Sequence, residues 1–346
     1  MKASYKKYIL NFKRPSGTSR GVMTEKETWF LLLEENGKTG IGECGILRML
    51  SIDDRPDYEE KLQWVCQNIH LGKDKLWKEL IEFPSIQFGV EMAFLSLQSK
   101  TPFDLFPSEF ILGKHNMLIN GLVWMGEEQF MKNQIEEKLA QGFSCIKLKI
   151  GAIDFEKELG LLRFIRQNFD AKTIEIRVDA NGAFNSNEAL SKLNQLHEFE
   201  LHSIEQPIKA NQIQEMKLLC QQTPFPIALD EELIGVFGIE KKRKLLEEIQ
   251  PQYIILKPSL VGGFKGTLEW ISIAESLNIG WWITSALESN IGLNAITQFT
   301  FTLQNPLPQG LGTGGLYTNN FDCPLEIEKG RIKYNPNLVW DISNLV

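Results

Sequence analysis

Hydrophobic and polar positions follow two different patterns along this chain. Residues 1–45 contain apolar runs typical of strands, and the Asn36-Gly37 pair between two of these runs favours a β-hairpin. Residues 57–100 instead show apolar positions at helical spacing. Together these elements predict an α+β domain that caps the rest of the protein.

From residue 117 onward, short apolar strands alternate with amphipathic helices. This alternation predicts parallel βαβ units. Eight strands, enough for a complete (β/α)8 barrel, are expected at 117–124, 145–150, 174–179, 201–205, 227–230, 253–257, 281–285 and 310–313.

The pattern therefore predicts an α/β protein, with a TIM-type barrel and an α+β cap. We place the capping domain at 1–116, the barrel at 117–314 and a C-terminal segment at 315–346. The last segment contains a predicted hairpin that is expected to return to the cap. Because no Gly/Ser-rich linker separates these parts, we expect them to pack closely.

Four charged residues recur at nearly one interval in the barrel half: Asp179, Glu205, Asp230 and Lys257 are separated by 26, 25 and 27 residues. Strands of such a barrel end at one rim, so these side chains should converge on one mouth. Taken singly, each acid is more often a turn or surface residue, and the regular recurrence carries the hypothesis. Clustered carboxylates need a cation, and oxygen donors suit Mg²⁺. Since no histidine follows His202, a zinc or iron site is not expected.

The second predicted barrel strand carries lysines at alternate positions, Lys147 and Lys149. On an edge strand this pattern would simply place both lysines in water, but in a barrel both point to the interior. A neighbouring ammonium group lowers the pKa of a lysine, and such a lysine can act as a general base. On the next strand, Arg177 shares the face of Asp179.

These motifs resemble the enolase superfamily, in its muconate lactonizing subgroup. The resemblance covers nearly the whole chain and rests on the segments Lys147-Leu-Lys149, Arg177-Val-Asp179-Ala-Asn181-Gly182, Ile204-Glu205-Gln206-Pro207, Asp230-Glu231 and Leu256-Lys257-Pro258. It implies Mg²⁺, or alternatively Mn²⁺, as the cofactor. The implied metal ligands are Asp179, Glu205 and Asp230.

The resemblance also assigns roles to the lysines. Lys149 would be the base, Lys147 the neighbour that lowers its pKa, and Lys257 the charge on the opposite face of the intermediate. Residues expected to brace the ligands are Arg177, Asn181 and Glu231. Expected substrate contacts are Ser285, which would hold a succinyl carboxylate, Arg20 in a cap loop that closes over the site, Gly312 and Thr313.

The implied reaction is loss of water from 2-succinyl-6-hydroxy-2,4-cyclohexadiene-1-carboxylate, which gives 2-succinylbenzoate for menaquinone biosynthesis. A lysine would abstract the α-proton to form a metal-stabilised enediolate. Dipeptide epimerases of this superfamily carry two aspartates at the eighth strand to hold the substrate ammonium. No acid occurs here between Glu288 and Asp322, which fits a substrate with carboxylates and no ammonium. An N-succinylamino acid racemase and a muconate-cycloisomerase-like enzyme remain alternatives, because they share the lysines and the ligands.

Composition changes this picture little. The chain is 43% hydrophobic and 23% charged, as is usual for a globular protein. A net charge of -7 argues against a nucleic-acid partner, and the lack of a long apolar run argues against a membrane span. Five cysteines without a paired motif favour a reducing cytoplasm. The expected partner is a small-molecule carboxylate substrate. A scaffold that has lost its site is disfavoured, since all metal positions and lysines are present.

Overall fold

The computed structural model describes residues 1–18 and 21–345. The chain begins with an antiparallel sheet of three strands, β1 (Lys2–Thr18), β2 (Gly21–Glu35) and β3 (Lys38–Gly45). Both residues of the turn between β2 and β3 have a positive φ, 51° at Asn36 and 76° at Gly37. An Asn-Gly pair favours this backbone, and the predicted hairpin is confirmed.

Helices pack on one face of this sheet, and the other face meets the barrel. The helices are α1 (Tyr58–Gln67), α2 (Lys73–Glu79) and α3 (Pro84–Gln98). Side chains alternate along β2, so that Trp29 and Leu31 join the core beneath the helices while Phe30 joins the barrel core. Helix α3 lies directly on β3. The approach is so close that a Cβ at Gly42 would come within 1.9 Å of the backbone oxygen of Gly89.

A short strand, β4 (Asn116–Leu118), precedes seven parallel strands that form one curled sheet. In spatial and chain order these are β5 (Gly121–Val123), β6 (Cys145–Lys149), β7 (Glu175–Asp179), β8 (Ser203–Glu205), β9 (Ile227–Leu229), β10 (Tyr253–Leu256) and β11 (Gly280–Ile283).

Amphipathic helices follow these strands, and their apolar faces cover the sheet. They are α4 (Glu128–Ala140), α5 (Phe155–Asn168), α6 (Ser186–Leu196), α7 (Ile213–Gln222), α8 (Ile239–Ile249), α9 (Pro258–Val261), α10 (Gly263–Ser276) and α11 (Asn290–Thr302). The predicted fold class, a TIM-type barrel with an α+β cap, is confirmed.

The eighth position of the barrel holds two bridging residues instead of the strand predicted at 310–313. Gln309 pairs in parallel with Ile119, and Gly310 pairs in parallel with Thr284, so the curled sheet closes. A Cβ at Gly310 would lie 2.3 Å from the hydroxyl oxygen of Thr284, which explains why glycine occupies this place. The chain then leaves the sheet in a turn, which is why the predicted strand is too long.

The strand predicted at 117–124 is two strands with different partners. β5 belongs to the barrel, whereas β4 pairs with the second strand of a C-terminal hairpin, β12 (Leu325–Glu328) and β13 (Arg331–Tyr334). Other parts of the tail contact β1, since the amide of Lys13 donates to the Leu316 carbonyl at 2.8 Å. The tail thus contacts both the cap sheet and the start of the barrel, and the exact domain boundaries stay a prediction.

Within the described ranges, none of the helices has the length and apolar character that crossing a membrane requires. All five cysteines are free thiols.

Candidate active site

Strand register brings the predicted charged residues to one level at the mouth of the barrel. Lys149 pairs with Asp179 across β6 and β7, and Asp179 pairs with Glu205 across β7 and β8. Asp230 directly follows β9, and Lys257 directly follows β10. Because parallel strands in register present the same face at the same height, these side chains meet inside the barrel.

The three lysines are ion-paired with the carboxylates. The Lys147 ammonium lies 2.9 Å from Asp179 Oδ2 and also contacts Glu205 Oε2. The Lys149 ammonium donates to the same Asp179 oxygen at 2.9 Å. On the opposite side of the barrel, Lys257 donates to Asp230 Oδ2. Each predicted ligand therefore has a lysine as its partner.

This arrangement changes the pKa values of the buried groups. Burial opposes the charge on Lys147, but the Asp179 and Glu205 carboxylates outweigh it and raise its pKa. The pKa of Lys257 is raised in the same way: burial opposes its charge, but the Asp230, Glu205 and Glu231 carboxylates together outweigh burial. Burial opposes ionisation of Asp179, yet its lysine neighbours hold the pKa of that carboxyl well below its usual range. The sequence prediction stressed repulsion between two ammonium groups, whereas attraction to carboxylates dominates at Lys147.

The carboxylates outnumber the ammonium groups at this mouth. Glu231 joins the three predicted ligands, so four carboxylates face three lysines. Burial and the Asp179 charge raise the pKa of Glu205 well above its usual range. Its Oε1 atom is buried and accepts no hydrogen bond within the described part of the chain. Crowded carboxyl groups and an unmatched carboxyl oxygen are features that a bound cation would satisfy.

Within residues 1–18 and 21–345, the acidic side chains are not already gathered into a group of three or more that would hold a metal ion. Lysine ammonium groups lie against carboxylate oxygens of Asp179, Glu205 and Asp230 that a cation would use. The donor set fits a hard divalent cation once the lysines turn away.

Two amide side chains support the cluster. Asn181 accepts a hydrogen bond from Lys149 at 2.7 Å and donates one to Glu231 at 3.0 Å. It therefore links the predicted base to the carboxylate of Glu231. Gln206, which the sequence reasoning missed, accepts hydrogen bonds from the amides of Asp230 and Glu232 at 3.2 and 3.3 Å. Its position in the sequence, directly after Glu205 at the end of β8, was the available signal.

Arg177 lies one layer below the mouth and does not brace the cluster as expected. Its guanidinium donates to Glu175 at 2.7 Å and to the Pro308 carbonyl at 2.9 Å, and it stacks on the Trp282 ring. The sequence placed it on the correct face of β7. Arg177 comes two residues before Asp179 on β7, however, so its contacts lie further from the mouth, at the end of the barrel where the strands begin.

A cavity of about 330 Å³ lies between the mouth and the cap sheet. The predicted substrate contacts Ser285, Gly312 and Thr313 all line it, and the two hydroxyls are hydrogen-bonded to each other at 2.6 Å. Arg20, the fourth predicted contact, lies outside the described residues. Lining residues that the sequence reasoning did not single out include Met23, Lys26, Leu50, Asn120 and Trp124.

Comparisons with known proteins place this architecture among its relatives. The family model described as enolase C-terminal domain-like matches residues 131–337. A curated o-succinylbenzoate synthase from Desulfotalea psychrophila is 45% identical over 95% of this chain and 98% of its own length. An N-succinylamino acid racemase from Thermus thermophilus is 30% identical over 80% of this chain and 75% of its own.

Solved structures agree with the sequence comparison. The crystal structure of MenC from Desulfotalea psychrophila superposes with a TM-score of 0.86 at 42% identity, covering 96% of this chain and 99% of that one. A muconate lactonizing enzyme from Pseudomonas fluorescens superposes with a TM-score of 0.84 at 23% identity, covering 99% and 97% of the two chains. The second likeness establishes the shared fold alone.

Proposed function

This chain belongs to the enolase superfamily, and we propose that it catalyses the dehydration of 2-succinyl-6-hydroxy-2,4-cyclohexadiene-1-carboxylate to 2-succinylbenzoate in menaquinone biosynthesis. The observation that carries the proposal is the 45% identity to an o-succinylbenzoate synthase along nearly the full length of both chains. The mouth of the barrel, with lysines on opposite strands and carboxylates between them, supports proton abstraction next to a substrate carboxylate.

We infer that Mg²⁺ is the cofactor and that Asp179, Glu205 and Asp230 hold it. Enzymes of this superfamily are metal-dependent, and a set of carboxylate oxygens without histidine or cysteine favours Mg²⁺ over zinc or iron. The unmatched Oε1 atom of Glu205 supports this assignment. When bound, the cation supplies positive charge beside the substrate carboxylate, which stabilises the negative charge that develops on proton removal.

The lysines then carry the proton chemistry. Neutral Lys149 takes the α-proton of the substrate, while the hydrogen bond to Asn181 fixes the direction of its amine. The C–O bond of the ring hydroxyl breaks, and Lys149 returns its proton to the departing oxygen, so that water and an aromatic ring are formed. Lys257, on the opposite face, contributes positive charge toward the negative charge that develops on the substrate.

Similarity to the Thermus racemase supports a second candidate, racemisation of an N-succinylamino acid. In that reaction Lys149 and Lys257 would each exchange the α-proton from its own face. The dehydration requires one basic face only. Lys257→Ala should therefore abolish two-sided deuterium exchange if racemisation is the main activity.

An absorbance assay of dehydration, together with a deuterium-exchange assay, separates the two reactions. The protein is mixed with the cyclohexadiene substrate and Mg²⁺, or Mn²⁺ for comparison, and absorbance follows the ring as it becomes aromatic. We expect turnover that a chelator stops and that Lys149→Ala reduces by about 10²- to 10⁴-fold, the usual contribution of a general base. Lys157→Ala, a change at an exposed lysine on α5, serves as the control. An untouched substrate, together with deuterium exchange into N-succinylamino acids, would contradict the dehydration.

A further inference from the structure

Lys26 is a buried lysine that the proposed mechanism does not use. It lies on β2, on the face that also carries Thr28 and Phe30 and that points toward the barrel. Its relative exposure is only 4%, and its ammonium nitrogen lies where a side chain at Gly45 would otherwise be, 2.6 Å from the position of a Cβ there. Lys26 is thus held inside the junction between cap and barrel.

The ammonium group of Lys26 donates no hydrogen bond among the described residues of this junction. It has no hydrogen-bond acceptor within residues 1–18 and 21–345. The charges of two acidic side chains, Glu43 and Glu288, attract this ammonium group without a hydrogen bond to it, and burial lowers the pKa of Lys26 despite them. The junction therefore holds a buried lysine whose ammonium group has no hydrogen-bonded carboxylate in the described part of the chain.

Other donors already occupy the nearby carboxylates. Glu43 accepts hydrogen bonds from the Thr28 hydroxyl at 3.0 Å, from the Ser289 amide at 2.9 Å and from the Gly292 amide at 2.8 Å. Glu288 accepts from the Ser259 hydroxyl and the Ala286 amide at 2.5 and 2.8 Å. The contacts of Glu43 with Ser289 and Gly292 join the cap to the barrel without help from Lys26.

Lys26 lines the same cavity as Lys149 and Lys257, on its cap side. A buried ammonium without a partner is costly, and an anionic group of a ligand would remove that cost. Ser285, the residue expected from the sequence to hold the succinyl carboxylate, has its hydroxyl engaged by Thr313 and by the Leu287 amide. We propose that Lys26 binds the distal carboxylate of the substrate, the one at the end of the succinyl chain. This inference rests on the proposed function and adds the residue that selects a dicarboxylate.

The test compares two ligands that differ only at the distal carboxylate. Binding of 2-succinylbenzoate and of 2-butyrylbenzoate, in which a methyl group replaces that carboxylate, is measured by calorimetry with saturating Mg²⁺. We expect the wild-type protein to prefer 2-succinylbenzoate by roughly 10- to 100-fold, the effect of one hydrogen bond to a charged group. Lys26→Met should reduce this preference to near unity, and Lys26→Arg should retain most of it.

Lys242→Met is the matched control for removing a buried lysine. Its ammonium donates to Glu269 and to the Gly266 carbonyl at 2.9 and 3.1 Å, outside the cavity, so the ligand preference should stay at the wild-type value. If Lys26→Met weakens both ligands equally, Lys26 is a structural residue and the inference is wrong. If the wild-type protein binds neither ligand and shows no dehydration, the proposed function fails and this inference fails with it.

Discussion

Buried carboxylates at the barrel mouth and at the junction between cap and barrel are satisfied by different kinds of donor. At the mouth, Asp179 and Asp230 face lysine ammonium groups. At the junction, Glu43 and Glu91 accept hydrogen bonds from backbone amides in the first turns of α11 and α10. Backbone donors are fixed by their helix, whereas an ammonium on a long side chain can turn away. The junction carboxylates therefore fasten two parts of the chain, and at the mouth we expect a metal ion to replace the ammonium groups.

The largest expected effect comes from the mouth. Asp230→Asn removes one negative charge while it preserves the shape of the side chain. We expect turnover to fall by roughly 10²- to 10³-fold, because a bound metal contributes several kcal/mol of charge stabilisation. Steady-state kinetics across a Mg²⁺ titration measure this loss. The thermal unfolding midpoint should change little, since a separate core supports the mouth. An unfolded variant would show that Asp230 is a structural residue and would remove the contrast with the junction.

The junction should respond in the opposite way. Glu43→Gln places an amide group against the donors of Ser289 and Gly292. We expect the free energy of unfolding to fall by about 3 to 5 kcal/mol, because the glutamine amide is itself a donor and leaves buried donors without an acceptor, each at a cost of about 1 to 3 kcal/mol. Denaturant unfolding measures this change. Glu34→Gln, an exposed change on the neighbouring strand β2, should stay within about 0.5 kcal/mol of wild type. A variant of unchanged stability would mean that Glu43 does not fasten the two parts.

The sequence was informative about the mouth because its residues have regular positions. Strand ends recur at a fixed interval in a barrel, so the positions of Asp179, Glu205 and Asp230 followed from spacing alone. Alternation along a strand likewise placed Lys147 and Lys149 on the interior face. These inferences needed only local periodicity and the common direction of parallel strands.

The junction could not be predicted in the same way. Glu43 meets Ser289, which lies 246 residues later, and no local pattern encodes such a contact. Nor does a local pattern show the burial of Lys26, because that burial depends on how the cap packs on the barrel. The length of the eighth strand was overestimated for a similar reason. The close approach of Gly310 to Thr284 is a tertiary contact, which no local pattern encodes.

The smallest expected effect concerns the pH dependence of the junction. Burial raises the pKa of Glu91 to about 7, although the amides of Phe264 and Lys265 donate to its carboxylate and oppose the shift. A raised pKa means that the folded protein binds the proton more tightly than the unfolded chain does. The stabilisation is therefore complete below about pH 4.5 and is lost as the pH rises through about 7.

Glu91→Gln should remove this part of the pH dependence. The neutral amide cannot ionise, so the free energy of unfolding of wild type relative to the variant should decline by up to about 3 kcal/mol between pH 4.5 and 8. Urea unfolding at several pH values gives this difference, in which the other titrating groups cancel. Glu79→Gln, at an exposed position on α2, should follow the wild-type profile. If Glu91→Gln also follows the wild-type profile, then Glu91 is ionised throughout, and its amide donors stabilise the charge as fully as the lysines do at the mouth.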